Sequence, residues 1–163
     1  MGRNNNNTPK TGPVKYFRGM AIYFNGKNNN RDIATVFTLI AYYSLYNEKL
    51  QKSKVYINGK YYTRLTLSTV VTELDNIISK SAVKRILETL VESGVVECLE
   101  PDDDEAFALG KYYRVSELGF SIIEDEYYWL ENDVDYAISK KGTGSNDNNQ
   151  TSSNDLQNNV VWK

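Results

Sequence analysis

The chain has 163 residues, a formal net charge of −2, one cysteine and no histidine. A single cysteine excludes an intramolecular disulfide, and the lack of histidine removes the usual general base, proton shuttle and commonest metal ligand at neutral pH. There is room for one globular domain of about 100 to 125 residues, and with no secretory hydrophobic segment or span of about 20 apolar residues a soluble, cytoplasmic protein is expected.

The N-terminal arm carries Arg3, Lys10, Lys15, Arg18, Lys27 and Arg31 with no acid among them, a composition suited to phosphate contact. Lys15 and Arg18 are candidate DNA contacts on this ground. Residues 1–12, with the run Asn4 to Asn7, are expected to be disordered, and the domain is expected to occupy 13–138. The first long helix reads from Asp32 to about Gln51: Ile33, Val36, Phe37, Ile40 and Ala41 share one face, while Tyr43, Leu45, Tyr46 and Leu50 crowd the rest. Such a helix is apolar almost all round and predicted to be buried. Lys54 to Tyr62 then alternates around Asn58-Gly59, the strongest short signal for a β-hairpin.

From Thr66 to Gly94 two helical periodicities meet at a polar break running from Asp75-Asn76 to Ser79-Lys80. Leu67, Val70, Val71 and Leu74 mark the first helix, with Ser68 as candidate cap. Val83, Ile86, Leu87, Leu90 and Val91 mark the second, with Ser79 suited to cap its start and Gly94 to end it. The short link predicts a helix-turn-helix. In that arrangement the N-terminal half of the second helix enters a major groove, so Ser79, Lys80, Ser81, Lys84 and Arg85 are the candidate DNA-binding residues, with Arg85 suited to bidentate base contact. The competing reading is a solvated helix face on which Lys84 or Arg85 pairs with Glu88.

Val95 to Glu100 and Ala108 to Val115 are β-prone runs around a turn containing Pro101-Asp102-Asp103-Asp104-Glu105 and read as a second hairpin. Its acidic tip would be repelled by phosphate, so it points away from DNA, contacts a basic partner, deters non-specific binding or is simply solvated. The acids lack the ligand spacing and turn glycine of a calcium loop, and no phosphate-binding loop or nucleophile motif accompanies them. No metal, cofactor or enzymatic activity is expected. Cys98, on a strand, reads as a small buried thiol.

Beyond Gly119, Phe120, Ile123, Tyr127, Leu130 and Val134 step at a/d spacing along a helix expected at about 120–138, with Ser121 and Glu124 as a capping box. The stripe suits either a homodimer seam or packing on the first long helix. Residues 139–163 form a polar tail, expected to be disordered and ending in Val160-Val161-Trp162, a candidate docking motif for a protein partner. The paired tyrosines, from Tyr42-Tyr43 to Tyr127-Tyr128, read mainly as core or strand residues.

The run of residues Leu65-Thr66, Ile78-Ser79-Lys80-Ser81-Ala82-Val83-Lys84-Arg85, Gly94-Val95-Val96-Glu97 and Tyr112-Tyr113-Arg114-Val115-Ser116-Glu117-Leu118-Gly119 resembles the winged helix-turn-helix superfamily over roughly Asp32 to Gly119. The helix and Asn-Gly hairpin ahead of it are similar to the N-terminal domains of replication initiators and replisome organisers from Gram-positive plasmids and phages. No second replication domain is recognisable after the wing. The resemblance implies an α+β winged helix that binds double-stranded DNA for replication, partition or transcription. A protein-docking or scaffold module using the acidic wing, the C-terminal helix and the tail is the alternative expectation.

Overall fold

The computed structural model describes residues 15–101 and 109–141; the expectations for 1–12, for the acidic turn Asp102 to Glu105 and for the tail beyond 141 lie outside them. The architecture is mixed α+β. In chain order the elements are α1 (Arg18–Tyr23), α2 (Asn30–Lys49), β1 (Tyr56–Ile57), β2 (Lys60–Tyr61), β3 (Thr63–Leu65), α3 (Leu67–Glu73), α4 (Lys80–Glu92), β4 (Val96–Leu99), β5 (Lys111–Val115), α5 (Glu117–Ile123) and, after a short 3-10 turn at Glu124–Glu126, α6 (127–141).

Helix α2 is the central post. Its fifteen consecutive residues from Ile33 to Asn47 are all buried, because α1, α4 and the strands pack around it on several sides. Each large apolar side chain enclosed there contributes about 1.5 to 3 kcal/mol relative to exposure. Among its buried polar groups, Asn47 Nδ2 donates to the Tyr62 carbonyl at 2.9 Å, and Thr38 Oγ1 donates to the Ala34 carbonyl at 2.7 Å while accepting from the Phe17 amide at 3.2 Å, whereas Ser44 Oγ has no hydrogen-bond partner among the described residues.

Strands β1 and β2 pair around Asn58 (φ 53°) and Gly59 (φ 81°), the left-handed pair that a two-residue hairpin turn requires. The other sheet is antiparallel in the order β3-β5-β4, with Thr63 opposite Tyr113, Leu65 opposite Lys111 and Val96 opposite Val115. Thr63, Leu65, Val96, Tyr113 and Val115 are its buried set, whereas Arg64, Glu97, Tyr112 and Arg114 alternate onto the other face. Strand β3 adds an edge that the sequence pattern did not predict.

The C-terminal helices begin earlier than Ser121. Ser116 caps α5, its Oγ accepting from the Gly119 amide at 3.0 Å and donating to the Gly94 carbonyl at 2.6 Å. Ser121 Oγ instead donates to the Leu118 carbonyl. A backbone turn inside the expected helix separates α5 from α6. Trp129 of α6 stacks on Phe17 at 4.6 Å, and Leu130 and Val134 enter the common core. No helix among the described residues is long and apolar enough to cross a membrane.

Candidate nucleic-acid interface

The pair α3 and α4 is shaped by local chemistry. Thr66, not Ser68, caps α3 by accepting from the Thr69 amide at 3.0 Å. The chain then reverses through Asp75 (φ 55°) and Asn76 (φ 62°), residue types that tolerate the left-handed region. The Asn76 amide donates to the Val71 carbonyl at 2.9 Å, closing the end of α3. Ser79 opens α4 by accepting from the Ala82 amide at 3.2 Å, and Gly94 follows its last turn at φ 84°.

Val83, Ile86, Leu87 and Leu90 anchor α4 in the core, against α2 and α3. Ser79, Lys80, Ser81, Lys84, Arg85 and Glu88 are all exposed, so the structure brings the five sequence-predicted residues of this helix together on its outward side. Lys84 Nζ lies 3.3 Å from Glu88, the i, i+4 pairing that the competing reading anticipates. Lys80 and Arg85 have no carboxylate partner among the described residues. Val91, expected on the apolar face, lies at its margin and is 36% exposed.

Between α4 and the sheet runs a groove of about 580 Å³ floored by Leu65, Leu87 and Tyr113. Ion pairs stand on its rim, Lys84 with Glu88 and Lys111 with Glu100 at 3.1 Å. Hydrogen bonding to Glu100 holds the Lys111 ammonium above its usual pKa, so it remains charged. Cys98 also borders the groove, and partial burial pushes its thiol up, away from the reactive thiolate.

Lys15 and Arg18 are grouped with the last helices instead. Lys15 forms an ion pair with Asp133 at 2.8 Å and lies over the Trp129 ring, while the amides of Arg18 and Gly19 donate to the Glu126 carboxylate at 2.8 and 2.7 Å. Lys15, just ahead of α1, thereby meets an acidic side chain of α6 within the chain.

The residues assigned to a dimer seam are taken up within the chain. Ile123, Leu130 and Val134 are at most 1% exposed, and Phe120 and Tyr127 pack edge to face at 5.5 Å against the same core. Intramolecular packing is thus the use made of the a/d stripe, which the spacing alone left open. The sequence reading also missed the outer sheet face, where Arg64 lies 4.7 Å over Tyr112 and Arg114 6.0 Å over Tyr62. Tyr112 and Arg114, two apart on β5 and so on one face, were the available signal. Among the described residues no group of three or more Cys, Asp or Glu is placed to hold a metal ion.

Compared with protein-family models, curated proteins and solved structures, the chain shows no match to any of them.

Proposed function

We propose that this is a cytoplasmic winged helix-turn-helix protein that binds double-stranded DNA in a sequence-specific manner, α4 being the reader and the β4–β5 hairpin the wing. The order α2, β3, α3, α4, β4, β5 with the sheet order β3-β5-β4 supports that fold. One observation carries the DNA reading: Lys80, Ser81, Lys84 and Arg85 are exposed together on the first turns of a helix whose opposite side is anchored in the core. In that role Lys80 and Lys84 engage phosphates, while Ser81 and Arg85 face base edges. The resemblance to plasmid and phage initiators supports a role in replication initiation or control, partition or transcription on a bacterial mobile element.

Fluorescence anisotropy with the DNA flanking its own gene and with random duplex, across a salt series, tests this. Specific binding should weaken with a log-log salt slope of about 0.9 per phosphate contacted, and Lys84→Glu/Arg85→Glu should abolish it. Absence of duplex binding at low salt, or binding indifferent to that double variant, removes the reading.

A second reading, protein docking, is favoured by Tyr128 and Tyr136, which are 63% and 67% exposed on α6 beside Asp125 and Asp135. Alanine at both tyrosines should then abolish capture of a partner while leaving duplex binding intact.

A further inference from the structure

Residues 49–72 contain Lys49, Lys52, Lys54, Lys60 and Arg64 and no Asp or Glu, in a chain whose net charge is negative. Most of this excess gathers around the β1–β2 hairpin. Lys49 is neutralised by Asp135 at 2.9 Å, and Lys60 shares Glu97 with Arg114 at 3.8 and 3.5 Å. Lys54 is exposed, with no carboxylate partner among the described residues. Lys52 lies 5.2 Å from the centre of the Tyr46 ring; burial lowers its pKa, and the nearby Lys141 ammonium lowers it further. Lys52, Lys54 and Lys141 thus stand without a carboxylate partner among the described residues, from the hairpin to the end of α6.

Aromatic surface accompanies the charge. Tyr56 is 51% exposed and leans on Tyr61, its cross-strand partner, with ring centres 4.6 Å apart. Beside the hairpin, the end of α2, β3 and α3 enclose a cavity of about 340 Å³ bordered by Tyr43, Tyr46, Lys52, Lys54, Arg64 and Glu73. That volume is at the lower end of small-ligand sites, about 300 to 1,000 Å³, enough for one unstacked nucleotide and too small for a duplex.

The register separates this surface from the wing. Leu65 pairs with Lys111, where β5 begins, whereas Thr63, nearest the hairpin, pairs with Tyr113 further along β5. The hairpin consequently lies at the end of the sheet away from Leu99 and Lys111, where β4 ends and β5 begins.

We propose that the β1–β2 hairpin and the cavity beside it form a second nucleic-acid site, for a single strand: Lys52, Lys54 and Lys60 contact phosphates, and a base stacks on the exposed Tyr56. A positive groove with aromatic side chains is the combination that holds single strands, because every base has a face to stack while the backbone supplies regular charge. Stacking on Tyr56 favours unpaired bases, because inside a duplex a base must first be unstacked at a cost of about a few kcal/mol per step. This site goes beyond duplex reading by α4 and does not rest on it.

The test is anisotropy of the full chain with a fluorescein-labelled oligothymidylate, an abasic oligomer of equal length and polyglutamate as competitor. Thermal unfolding of each variant confirms that it is folded. Lys54→Glu/Lys60→Glu should weaken oligothymidylate binding about tenfold or more, and Tyr56→Ala about fivefold or more, as expected for loss of one stacked base. The parent should bind the abasic oligomer correspondingly less well. Lys84→Glu/Arg85→Glu should leave oligothymidylate binding unchanged while removing duplex binding, so the two sites fail separately. Absence of oligothymidylate binding at low salt overturns the proposal. So does equal binding of the abasic oligomer, displacement by polyglutamate as effective as by nucleic acid, or loss confined to the α4 variant.

Discussion

Lys15 and Asp133, 118 residues apart in sequence, meet at 2.8 Å, and the same ammonium lies 5.1 Å from the centre of the Trp129 ring. Residues 15–17 are thereby fastened to α6, with Phe17 stacked on the same Trp129 ring.

Both charged side chains are more than a third exposed, at 56% and 39%, so solvent limits the coupling between them to at most about 1 kcal/mol. Lys15→Glu and Asp133→Lys should each lower the urea midpoint, and the doubly swapped chain should recover most of the loss. Additive destabilisation in the double variant would show that the pair contributes nothing. Lys15→Gln, correspondingly, should alter stability more than duplex affinity.

Gly119 permits the close approach of α5 to the sheet and α2. A Cβ there would meet the Val95 carbonyl oxygen and lie 2.8 Å from Val115 Cγ1 and 3.1 Å from Phe37 Cε1, in a region without room to yield. Gly119→Ala should cost about 2 kcal/mol or more by overpacking. Gly26→Ala, with nothing within 4 Å of its Cβ, is the matched control and should be near neutral. Equal urea midpoints for the two variants would refute the packing argument.

Two serine caps should differ in worth. Ser79 is exposed and satisfies one amide, so Ser79→Ala should cost about 1 kcal/mol. Ser116 is 6% exposed and also donates to the Gly94 carbonyl at 2.6 Å. Its replacement by alanine removes two bonds, one of them part-buried, so about 2 kcal/mol should be lost. Equilibrium unfolding of both variants checks the order, and an equal loss would show that the second bond contributes nothing.

What could be read in advance follows from which signals are local. The caps and breaks around α4 are written in adjacent residues: Ser79, Gly94 and the polar run at Asp75-Asn76 act within one turn of where they stand. The Asn58-Gly59 hairpin is local for the same reason. Helix α1 is too short for periodicity to show, and β3 becomes a strand only because β5 presents a partner edge to Thr63 through Leu65. The a/d stripe in α5 and α6 was visible, but its destination was not: spacing describes an apolar face, and the identity of what covers that face depends on where Phe17 and α2 lie in space. The ion pair of Lys15 was not legible, because unpaired sequence charge does not reveal a carboxylate 118 positions away.

The stability of the fold should be sensitive to alkali. Burial pushes the Tyr42, Tyr113 and Tyr127 phenols well above their ordinary value of 10.0, with the charge of Asp133 adding to Tyr42. A raised folded-state pKa means that the stabilisation is fully present below pH 10.0 and is lost as pH rises towards the folded value. Each such tyrosine contributes a fall of up to about 1.4 kcal/mol per pH unit above that point. Tyr42→Phe should make the decline less steep by one group, measured as urea stability against pH. An unchanged slope would mean that Tyr42 ionises in the folded chain as readily as in the unfolded one.

Lys84 and Arg85 should behave differently on DNA although they are neighbours. The ammonium of Lys84 already has Glu88 at 3.3 Å, whereas Arg85 carries its full charge on the open side of α4 without a carboxylate partner among the described residues. Arg85→Ala should therefore cost about 1 to 3 kcal/mol at a cognate site and little on random duplex, if its guanidinium reads a base edge. Lys84→Ala should weaken both duplexes alike and by less, because binding must first separate the ammonium from Glu88. Glu88→Gln then becomes the informative substitution. It removes a carboxylate that phosphate repels and releases Lys84, so duplex affinity should rise while the salt slope, set by the same phosphate contacts, stays as it is. A fall in affinity on making Glu88→Gln would mean that the carboxylate accepts a hydrogen bond from a base, and would place Glu88 among the base-reading residues.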